Sequence, residues 1–490
     1  MNKKLLSVLV LLSTCLGVSS CQSGDNNDEN NDNSTSVDPV FTKFEGELER
    51  NVEIKVLEND TAIKQGYLDE LINAFNEEYA EYGIKAVDAN MGEFTDLAQA
   101  GPYGYGPDVL YQANDVIMKY VDQKHVTPLP TDKLEAYDQI PEEARSAYEA
   151  EVGEKEYTFG VPINIQTGLL YYRKDLLPED WTKTWDDNKN NVPDMVENLA
   201  DLYQFSKMRH EANPDQYGFE YSINDFYFSS GFLFSFGGYV FGDNNRDDTD
   251  IGLSANDARY GAQLIWQLAS TMSVSCQDDS AKLAISGNMA SGKYFASVTT
   301  PDVRSVIVDA LALEYQKADT SLDDKDAYKL ADENIVGVTF PRLPKNGDLN
   351  NPSEETIPMI SMGGINGYAM SSYTKYPKAS LAFINFATNY EMVKKREEIL
   401  QIAPCREDVS LESGALSQEL FNKVSNGEIE LMPSISSVGQ IWYPTQSFLA
   451  DLAADPKREV SKQLYNTLDK LQAGLEEVSQ SIYDAIHLLG

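Results

Sequence analysis

An α/β fold is predicted by two observations: a β-α-β unit opens the folded part of the chain, and strand-type and helix-type segments continue to alternate after it. In the unit, Val52, Ile54 and Val56 alternate with charged residues, which is the two-residue period of a half-buried strand. Apolar residues then recur at helical spacing over 68–79, and 84–87 supplies a second short strand. Two strands joined by a helix in this way form the building block of a parallel sheet.

The alternation continues to the C-terminus without an internal repeat. The predicted elements are a helix at 93–100, a third strand at 108–111, a helix at 115–121, and alternating strands and helices through 158–172, 192–207 and 257–272. Pro377 suits the first turn of an apolar helix that runs to about residue 388. A stripe of apolar residues at helical spacing extends from Val460 to Ile482.

The first 21 residues have the features of a bacterial export signal. A short cationic segment precedes an apolar run over 5–18, which is too short to span a bilayer stably. The run ends in Val18-Ser19-Ser20-Cys21, which resembles the cleavage box of bacterial lipoproteins. The resemblance implies that Cys21 becomes the lipidated N-terminus of an extracytoplasmic protein anchored to the cell membrane. Ordinary secretion with an incidental cysteine is the alternative.

Residues 21–47 are predicted to be a disordered acidic linker between the lipid anchor and the folded part. The stretch 22–39 is rich in Asp, Asn and Ser and contains almost nothing that a core would bury. Acyl chains hold such a tether firmly at a membrane, because each buried methylene contributes roughly 0.8 kcal/mol. We therefore expect a signal peptide at 1–20 and a folded part that begins near Leu48.

The mature chain is strongly acidic. Without residues 1–20, which contain Lys3 and Lys4, 490 − 20 = 470 residues remain, and the formal charge is 37 − 78 = −41. This length is enough for two or three domains. A surface of this charge repels nucleic acid and anionic lipid headgroups, so neutral solutes are the expected partners. The acidity has an alternative explanation, which is solubility alone.

Cysteine and histidine usage argues against several kinds of site. After Cys21, Cys276 and Cys405 are the remaining cysteines, and the sequence leaves open whether they pair. The histidines of the chain, at positions 125, 210 and 487, are far apart. A zinc site built from histidine or a Ser-His-Asp triad is therefore poorly supported.

Three motifs in a fixed order carry a family resemblance. The first is GPDVLYQAND at 106–115. The second runs from VPI at 161–163 through LLYYRKDLLP at 169–178, and the third is MPSI at 432–435 followed by IWY at 441–443. In this order they resemble the maltose/maltodextrin-binding family of extracellular solute-binding proteins, and the resemblance covers nearly the whole mature chain.

The resemblance implies a two-lobed, periplasmic-binding-protein-like fold of type II. Such a fold has two parallel or mixed sheets flanked by helices and joined by crossing hinge strands, and it encloses the ligand between the lobes. Lobe one is expected at 48–162 plus 363–404, and lobe two at 166–361 plus 408–490. Because the chain crosses more than once, closure is expected to be close to a rigid-body rotation.

The resemblance also implies a function without catalysis. The chain would be the carbohydrate-binding component of an ABC importer, which captures an oligosaccharide of maltodextrin type and delivers it to membrane permease subunits. It would act as a monomer, without an organic cofactor and without nucleic acid. Two other functions remain open: a surface sensor or glycan-adhesion lipoprotein of the same fold, and an extracellular glycoside hydrolase, which needs two carboxylates about the scissile bond.

Sugars present hydroxyls around an apolar ring face, so their sites combine planar hydrogen-bonding side chains with aromatic platforms. The resemblance assigns ligand contacts to Asp60, Gln112, Asp115, Gln166, Asp225, Tyr227, Trp442 and Tyr443. Asp60 shares its loop with Glu58 and Asn59. The alternative role of Asp115 is to cap the helix that begins there, and the alternative role of Trp442 is packing in the core.

The sequence departs from the family pattern at two positions. Gln112 stands where the maltodextrin binders have an aromatic platform, and Asp302 stands where a second one is expected. Tyr103, Tyr105 and Tyr111 are candidates for substitute stacking from lobe one. The loss of two aromatic platforms argues against assuming that the ligand is maltose.

Residues 186–197 resemble a twelve-residue calcium loop of the EF-hand type. The ligands would be Asp186, Asn188, Asn190, the Val192 carbonyl, Asp194 and Glu197, with Glu197 starting the helix that follows. Asn191 replaces the usual Gly at position six, and Asn tolerates the left-handed backbone better than most residues. Structural calcium and a plain polar insertion are the two interpretations. Asp243–Asp250 is a second acidic loop without this spacing.

Overall fold

A computed structural model describes residues 38–92 and 97–488 of the chain. The predicted signal peptide, Cys21 as the lipidation site and most of the predicted linker lie outside the described residues, as does the first half of the helix predicted at 93–100. Within the described ranges, no helix combines the length and the apolar character needed to cross a bilayer.

The first sheet is built around the predicted β-α-β unit. Within the described residues its strands, from one edge, are Ile429–Leu431, Ser361–Met370, Val109–Ala113, Glu53–Leu57 and Lys85–Asp88, and Gly160–Thr167 also pairs with Ser361–Met370. Ile54 and Val56 are fully buried, as their alternation with charged residues predicts. Glu53–Leu57 pairs in parallel with both of its neighbours, so the predicted parallel unit is present.

Two strands of this sheet connect the lobes. Ser361–Met370 pairs antiparallel with Gly160–Thr167 over nearly its whole length. Gly160–Thr167 leads through Gly168 directly into Leu169–Arg173, which belongs to the second sheet. The two long strands are here called the crossing strands. They place polar side chains at the junction of the two lobes.

The second sheet contains Ile335–Val338, Leu169–Arg173, Tyr294–Thr299 and Tyr217–Phe219, in that order. Leu169 and Tyr171 pack into one hydrophobic cluster, whereas Leu170 and Tyr172 pack into another. The strand Leu169–Arg173 is therefore buried on both faces, which explains its continuous run of apolar and aromatic residues. Two short hairpins pair Glu149–Val152 with Lys155–Thr158 and Leu343–Pro344 with Thr356–Ile357.

Helices cover both sheets. The longer ones are Tyr67–Glu78, Asn114–Asp122, Leu199–Ala212, Phe226–Phe234, Ala258–Ala269, Arg304–Ala318, Asp324–Asn334, Pro377–Ala387, Tyr390–Leu400, Ala415–Ser425, Trp442–Ala454 and Leu468–His487. Shorter ones are Asp60–Lys64, Leu97–Ala100, Glu142–Ser146, Trp181–Thr184, Asp194–Glu197, Ser280–Leu283, Ile285–Ala290 and Glu407–Ser410. The mixed α/β class and the two-lobed arrangement predicted from the sequence are confirmed.

Two predictions near the ends of the chain are wrong in detail. The linker is predicted to reach residue 47, but Pro39–Phe44 forms a 3-10 helix. Phe44 is buried because its ring packs into the hydrophobic cluster that contains Ile54 and Val56. The C-terminal stripe was expected to be helical from Val460, but the last helix is Leu468–His487. Val460 and Leu464 are exposed, since no core faces them.

The segment from residue 408 to the strand Ile429–Leu431 packs on the first lobe. Ile429–Leu431 pairs in parallel with Ser361–Met370, and Leu420 and Val424 lie in the hydrophobic cluster of the first sheet. The sequence had placed 408–490 in lobe two. Cys276 and Cys405 are both buried free thiols, and burial raises the pKa of Cys276 to about 12.

Candidate ligand-binding site

The helix Phe226–Phe234 joins the second lobe to a crossing strand. Its N-cap is Asp225, whose Oδ1 accepts a hydrogen bond from the Tyr227 backbone N–H at 3.1 Å. The cap fixes the direction of the first turn, and the Tyr227 hydroxyl donates to the carbonyl oxygen of Gln166 at 2.8 Å. Two of the sequence-predicted ligand contacts are thus in direct contact with each other.

The side chain of Gln166 is held by a residue that the sequence analysis missed. Asn366, on the neighbouring crossing strand, donates through Nδ2 to Gln166 Oε1 at 2.7 Å. The Asn366 Oδ1 atom is buried without a hydrogen-bond partner among the described residues. The sequence did offer one signal for Asn366: it is the only polar side chain in the stretch Gly363 to Gly367 of a buried strand. The two amides form a fixed pair whose remaining donors and acceptors suit hydroxyl groups.

Asp115 and Asp302 lie near the same tyrosine. Burial raises the pKa of Tyr227, and the negative charges of Asp225, Asp115 and Asp302 raise it further. The phenol therefore stays neutral and acts as a hydrogen-bond donor. Three segments that are far apart in sequence, at Asp115, at Asp225 and Tyr227, and at Asp302, thus lie within electrostatic range of one another.

Asp115 occupies the first turn of the helix Asn114–Asp122, whose N-cap residue is Ala113. Burial raises the pKa of Asp115, although the backbone N–H groups of Val116 and Asp115 itself oppose the shift. Asp302 lies in the 3-10 helix Pro301–Val303, and its Oδ1 is buried without a partner among the described residues. A buried carboxylate oxygen without a donor is costly, so this atom calls for a ligand hydroxyl or water.

Asp225 has a second partner, Lys282, which the sequence analysis also missed. The Lys282 Nζ atom lies 2.9 Å from Asp225 Oδ2. One carboxylate oxygen of Asp225 thus caps the helix while the other bonds the lysine. Local spacing gives no signal for this contact, because the two residues are 57 positions apart.

The two aromatic residues predicted as a tandem platform have different surroundings. Trp442 is half-buried at the start of the helix Trp442–Ala454, and its ring lies 6.3 Å from that of Phe226 at 69°. Tyr443 is 80% exposed. Part of the Trp442 ring therefore packs against the protein, whereas the Tyr443 ring projects into solvent.

Of the remaining two predicted contacts, Gln112 is buried and Asp60 is exposed. Gln112 is 6% exposed at the end of the strand Val109–Ala113, and its carbonyl oxygen accepts a hydrogen bond from the Tyr148 hydroxyl at 2.8 Å. Asp60 is exposed and begins the helix Asp60–Lys64. Its loop neighbour Asn59 caps this helix through Oδ1, which accepts from the Ala62 N–H at 2.7 Å.

Glu58, which precedes Asp60 in the same loop, forms a buried ion pair and is not available to a ligand. Its two carboxylate oxygens bond Arg396 at 2.9 and 3.1 Å, and both side chains are buried. The Tyr368 hydroxyl donates to Glu58 Oε2 at 2.5 Å. The guanidinium lies 4.2 Å from the centroid of Tyr111 and 4.8 Å from that of Tyr67. This pair fixes the end of the strand Glu53–Leu57, from which the loop of Asp60 emerges.

Asn114 connects three segments at the junction. Its Oδ1 accepts a hydrogen bond from the Ile365 N–H at 3.2 Å, and its Nδ2 donates to the Met432 carbonyl at 3.2 Å and to Ser434 Oγ at 3.1 Å. Ile365 lies on a crossing strand, and Met432 opens the MPSI motif. The first and third motifs therefore meet at a crossing strand.

The family model for "Bacterial extracellular solute-binding protein" matches residues 70–421. This chain belongs to that family. The solute-binding protein is therefore a binding component and not an enzyme, which rejects the hydrolase alternative. Its family also supports an extracytoplasmic location.

Among curated relatives, the solute-binding protein is similar to the maltodextrin-binding protein MdxE of Bacillus subtilis, with 25% identity over 418 residues, 84% of this chain and 88% of the relative. It is 23% identical over 423 residues to the galactooligosaccharide-binding protein of the same organism, again over 84% and 88% of the chains. A maltooligosaccharide ABC transporter solute-binding lipoprotein of Streptococcus pneumoniae is 23% identical over 399 residues, 80% of this chain and 82% of the relative.

Solved structures share the fold of the solute-binding protein. The maltose-binding periplasmic protein MalE of Listeria monocytogenes superimposes with a TM-score of 0.64 at 20% identity, over 89% of this chain and 98% of the other. The two-lobed type II fold is thereby supported independently of the motifs.

The predicted calcium loop of the solute-binding protein has much of the expected geometry. Asn191 is left-handed with φ 62°, as position six requires, and Asn190 N–H donates to Asp186 Oδ1 at 3.0 Å. The amides of Asn188 and Asn190 converge on Glu197, at 2.9 and 2.7 Å from its two oxygens. Glu197 does not start the long helix, because Asn198 is extended and the helix Leu199–Ala212 follows it.

The carboxylates around this loop repel one another. Burial raises the pKa of Asp194, and the neighbouring Asp187, Glu197 and Asp186 raise it further, against a hydrogen bond from the Asp187 N–H. A cation would relieve this repulsion. Within the described residues, however, no three His, Cys, Asp or Glu side chains converge closely enough to hold a metal ion by themselves. A calcium ion here would also need the amide oxygens of Asn188 and Asn190 and the Val192 carbonyl. The loop therefore fits calcium only if these oxygens bind it together with the carboxylates.

Proposed function

We propose that this protein is the oligosaccharide-binding component of an ABC importer. The observation that carries the proposal is the hydrogen bond between Tyr227 of the second lobe and Gln166 of a crossing strand, with the charges of Asp115 and Asp302 acting on the same phenol. The names of the relatives support it, since they are described as binders of maltodextrin, galactooligosaccharide and maltooligosaccharide. The polar groups at the junction are amides, carboxylates and a neutral phenol, which suit the hydroxyls of an uncharged sugar.

The ligand works by favouring closure of the two lobes. Tyr227 belongs to the second lobe, Asp115 to the first, and Gln166 to the strand that joins them. A sugar that bonds all three gains contacts only when the lobes are together, so it shifts the population toward the closed form. The closed form then docks on permease subunits encoded elsewhere, with the solute-binding protein acting as a monomer.

The proposed site holds its sugar with fewer aromatic platforms than the maltodextrin binders of the family. Gln112 is buried at a position where the family has an aromatic platform, and Asp302 offers an acceptor where a second one is expected. Stacking is thus reduced and hydrogen bonding increased, which shifts preference toward sugars whose hydroxyls are well placed rather than toward the flattest ring face. The relatives include a binder of galactooligosaccharide as well as binders of maltodextrins.

The protein is held at the membrane through Cys21. The sequence at 18–21 supports this, together with the word lipoprotein in the name of the pneumococcal relative. Mass spectrometry of the protein from membranes of the producing cells tests it: a diacylglycerol adduct on Cys21, lost in Cys21→Ser, is expected. A mature N-terminus at another residue would contradict the anchor.

The binding proposal is tested by calorimetry against a panel of glucans and of xylo-, manno- and galacto-oligosaccharides. Micromolar affinity for at least one series is expected, accompanied by a decrease in the radius of gyration in small-angle scattering. Absence of heat and of compaction with every series would refute the proposal. A sensor or adhesion role would share the binding result, and it is distinguished by deleting the gene and measuring uptake of the labelled sugar, which only an importer component would reduce.

We also propose that the loop 186–197 holds a structural calcium ion. Its support is the left-handed Asn191, the convergence of Asn188 and Asn190 on Glu197, and the carboxylate repulsion around Asp194. The ion would stabilise the second lobe and take no part in sugar binding.

A further inference from the structure

The first lobe carries two exposed tyrosines at the end that is remote from the proposed sugar site. Tyr103 is 77% exposed and Tyr105 is 74% exposed, in the turn that precedes the strand Val109–Ala113. The sugar site lies at the other end of this strand, where Ala113 pairs with Asn366 of a crossing strand. A strand of this length spans roughly 13 Å. The two tyrosines, which the sequence offered as stacking residues, therefore lie away from the sugar.

The turn that presents the tyrosines has a fixed backbone. The Gly104 N–H donates to the Gly101 carbonyl oxygen at 2.9 Å, and the Tyr105 N–H donates to the Ala100 carbonyl oxygen at 3.1 Å. Gly104 follows Tyr103 in the left-handed conformation, with φ 74°, which glycine adopts without a steric cost. A backbone fixed in this way holds both rings in solvent, where they gain no core contact. This placement indicates a partner outside the folded body.

The folded part of the chain begins at the same end of the first lobe. Lys43 bonds the side chain of Thr127 through its Nζ atom, and the Thr127 N–H donates to the Met370 carbonyl oxygen at 3.0 Å. Tyr373 follows Met370 by three residues, and its ring packs so closely on Gly101 that an added Cβ would lie 2.3 Å from it. Three residues span at most about 11 Å. The entry point of the chain and the tyrosine turn therefore share one end of the first sheet.

The length of the chain before this entry point limits how far it can be from a lipid anchor at Cys21. From Cys21 to Val40 there are 40 − 21 = 19 residue steps. Each step extends a chain by at most about 3.3–3.6 Å, so Val40 stays within roughly 65 Å of the anchor. The end of the first lobe that carries Val40 is therefore the part of the folded body that the anchor keeps nearest to the bilayer.

The distribution of charge favours the same end. Lys124 and Lys375 are exposed beside Tyr373, with Asp122 as an exposed acidic neighbour, and the Lys124 carbonyl oxygen accepts from Ser372 Oγ at 2.9 Å. The mature chain has a formal charge of 37 − 78 = −41, so anionic headgroups repel most of its surface. A body of this charge turns an end that bears lysines toward such a bilayer. Tyrosine is enriched at membrane–water interfaces, because its ring is apolar and its hydroxyl is polar.

We propose that the turn 101–106 is the surface through which the first lobe contacts the bilayer that holds the lipid anchor. The proposal rests on the proposed anchor at Cys21. The rings of Tyr103 and Tyr105 lie among the lipid headgroups, and Lys124 and Lys375 lie beside the phosphates. Because the turn and the sugar site are at opposite ends of a strand, this contact keeps the cleft clear of the bilayer and open to arriving solutes.

Tryptophan reporters test the proposal in the full mature protein, purified from membranes of the producing cells. The protein is reconstituted in vesicles of phosphatidylcholine and phosphatidylglycerol, in which part of the phosphatidylcholine carries bromine as a fluorescence quencher. Tyr103→Trp and Tyr105→Trp place the reporter in the turn. Leu283→Trp is the matched control, because Leu283 is 83% exposed and lies in the second lobe. The wild type supplies the background of the native tryptophans, flotation of the vesicles reports anchoring, and thermal unfolding reports the fold.

Tyr103→Trp and Tyr105→Trp should lose most of the added fluorescence to the brominated lipid, and Leu283→Trp should keep it. Vesicle-bound protein whose turn reporters are quenched no more than the reporter of Leu283→Trp would overturn the surface and leave the anchor intact. A blue shift that follows protein concentration in detergent, without quenching by lipid, would assign the turn to a second copy of the chain instead. Protein that does not float with the vesicles would refute the anchor, and the surface with it.

Discussion

The Tyr227 hydroxyl and the Gln166 carbonyl oxygen are 2.8 Å apart, and this hydrogen bond ties a helix of the second lobe to the strand that leads out of the first. The phenol stays neutral because burial raises its pKa. The bond therefore persists at any physiological pH. It makes Tyr227 a part of the hinge as well as of the proposed sugar site.

Replacing Tyr227 with Phe removes this bond and leaves the ring. A neutral hydrogen bond contributes about 1 kcal/mol, so Tyr227→Phe should lower the free energy of unfolding by about that amount. Because the hydroxyl also belongs to the proposed sugar site, sugar affinity should fall by roughly fivefold as well. Urea unfolding and calorimetry measure the two effects. Tyr239→Phe is the matched control, because the Tyr239 hydroxyl bonds Asp250 in an exposed loop of the same lobe. Equal losses in the two variants would remove Tyr227 from the closing mechanism.

Trp442 should contribute to binding through its partly exposed ring. A ring that covers on the order of 60 Å² of sugar carbon surface gains roughly 1.5 kcal/mol, so Trp442→Ala should weaken binding about tenfold. Its contact with Phe226 predicts a small loss of thermal stability in addition. Tyr443→Ala separates the two members of the predicted platform: since Tyr443 is exposed, its replacement should leave stability unchanged. An unaltered affinity in Trp442→Ala would exclude that ring from the site.

Local patterns in the sequence predicted the elements of this fold well. The strand around Ile54 and the helix that contains Leu71 lie where their periodicity indicated, because each buries one face. The strand predicted at 108–111 is present at Val109–Ala113. The left-handed Asn191 was also predictable, since its position in a twelve-residue pattern requires that conformation. These features depend on residues that are near one another in the chain.

The partners of the site residues depend on contacts between distant segments. Lys282 reaches Asp225, and Asn366 reaches Gln166 across 200 positions. Nothing in the spacing of a single sequence marks such pairs. Glu58, which shares the loop of Asp60, illustrates the same limit, because its carboxylate bonds Arg396, 338 positions away.

The pair of Glu58 and Arg396 should be costly to break and much less costly to replace. Removing one partner of a buried ion pair leaves an uncompensated charge, at a cost of roughly 3–5 kcal/mol. Glu58→Gln should therefore lower the free energy of unfolding by several kcal/mol in urea titrations. The double variant Glu58→Leu with Arg396→Met removes both charges and should regain a large part of that loss. Additive losses in the double variant would show that packing, and not the ion pair, dominates.

Calcium should raise the melting temperature of the protein after treatment with a chelator. Glu197→Gln should abolish the rise, because position twelve supplies the bidentate carboxylate of the loop. Asp243→Asn, in the acidic loop without this spacing, should keep the response. A melting temperature that does not respond to calcium in the wild type would identify 186–197 as a polar insertion stabilised by its own hydrogen bonds.

Glu220 should make stability fall as pH rises. Its carboxylate is fully buried and accepts hydrogen bonds from the Ser273 N–H at 2.8 Å and from Ser273 Oγ at 2.9 Å, yet burial raises its pKa to about 7. In the unfolded chain a Glu has a pKa of about 4.3. Between these two values the unfolded state loses its proton first, so folding becomes less favourable with increasing pH, by roughly 3 kcal/mol once both states are ionised.

Glu220→Gln tests this assignment. The amide can accept from the Ser273 N–H and donate to the Ser273 hydroxyl, so the packing is retained without the titration. The variant should gain stability relative to the wild type as pH rises from 4.5 to 7, measured by urea unfolding at each pH. Glu333→Gln, at an exposed helix position, controls for the change in net charge and should show no such trend. A stability difference between Glu220→Gln and the wild type that does not vary over this pH interval would mean that Glu220 is already ionised in the folded protein, with its charge balanced by Lys457 and Lys293, whose charges oppose the shift.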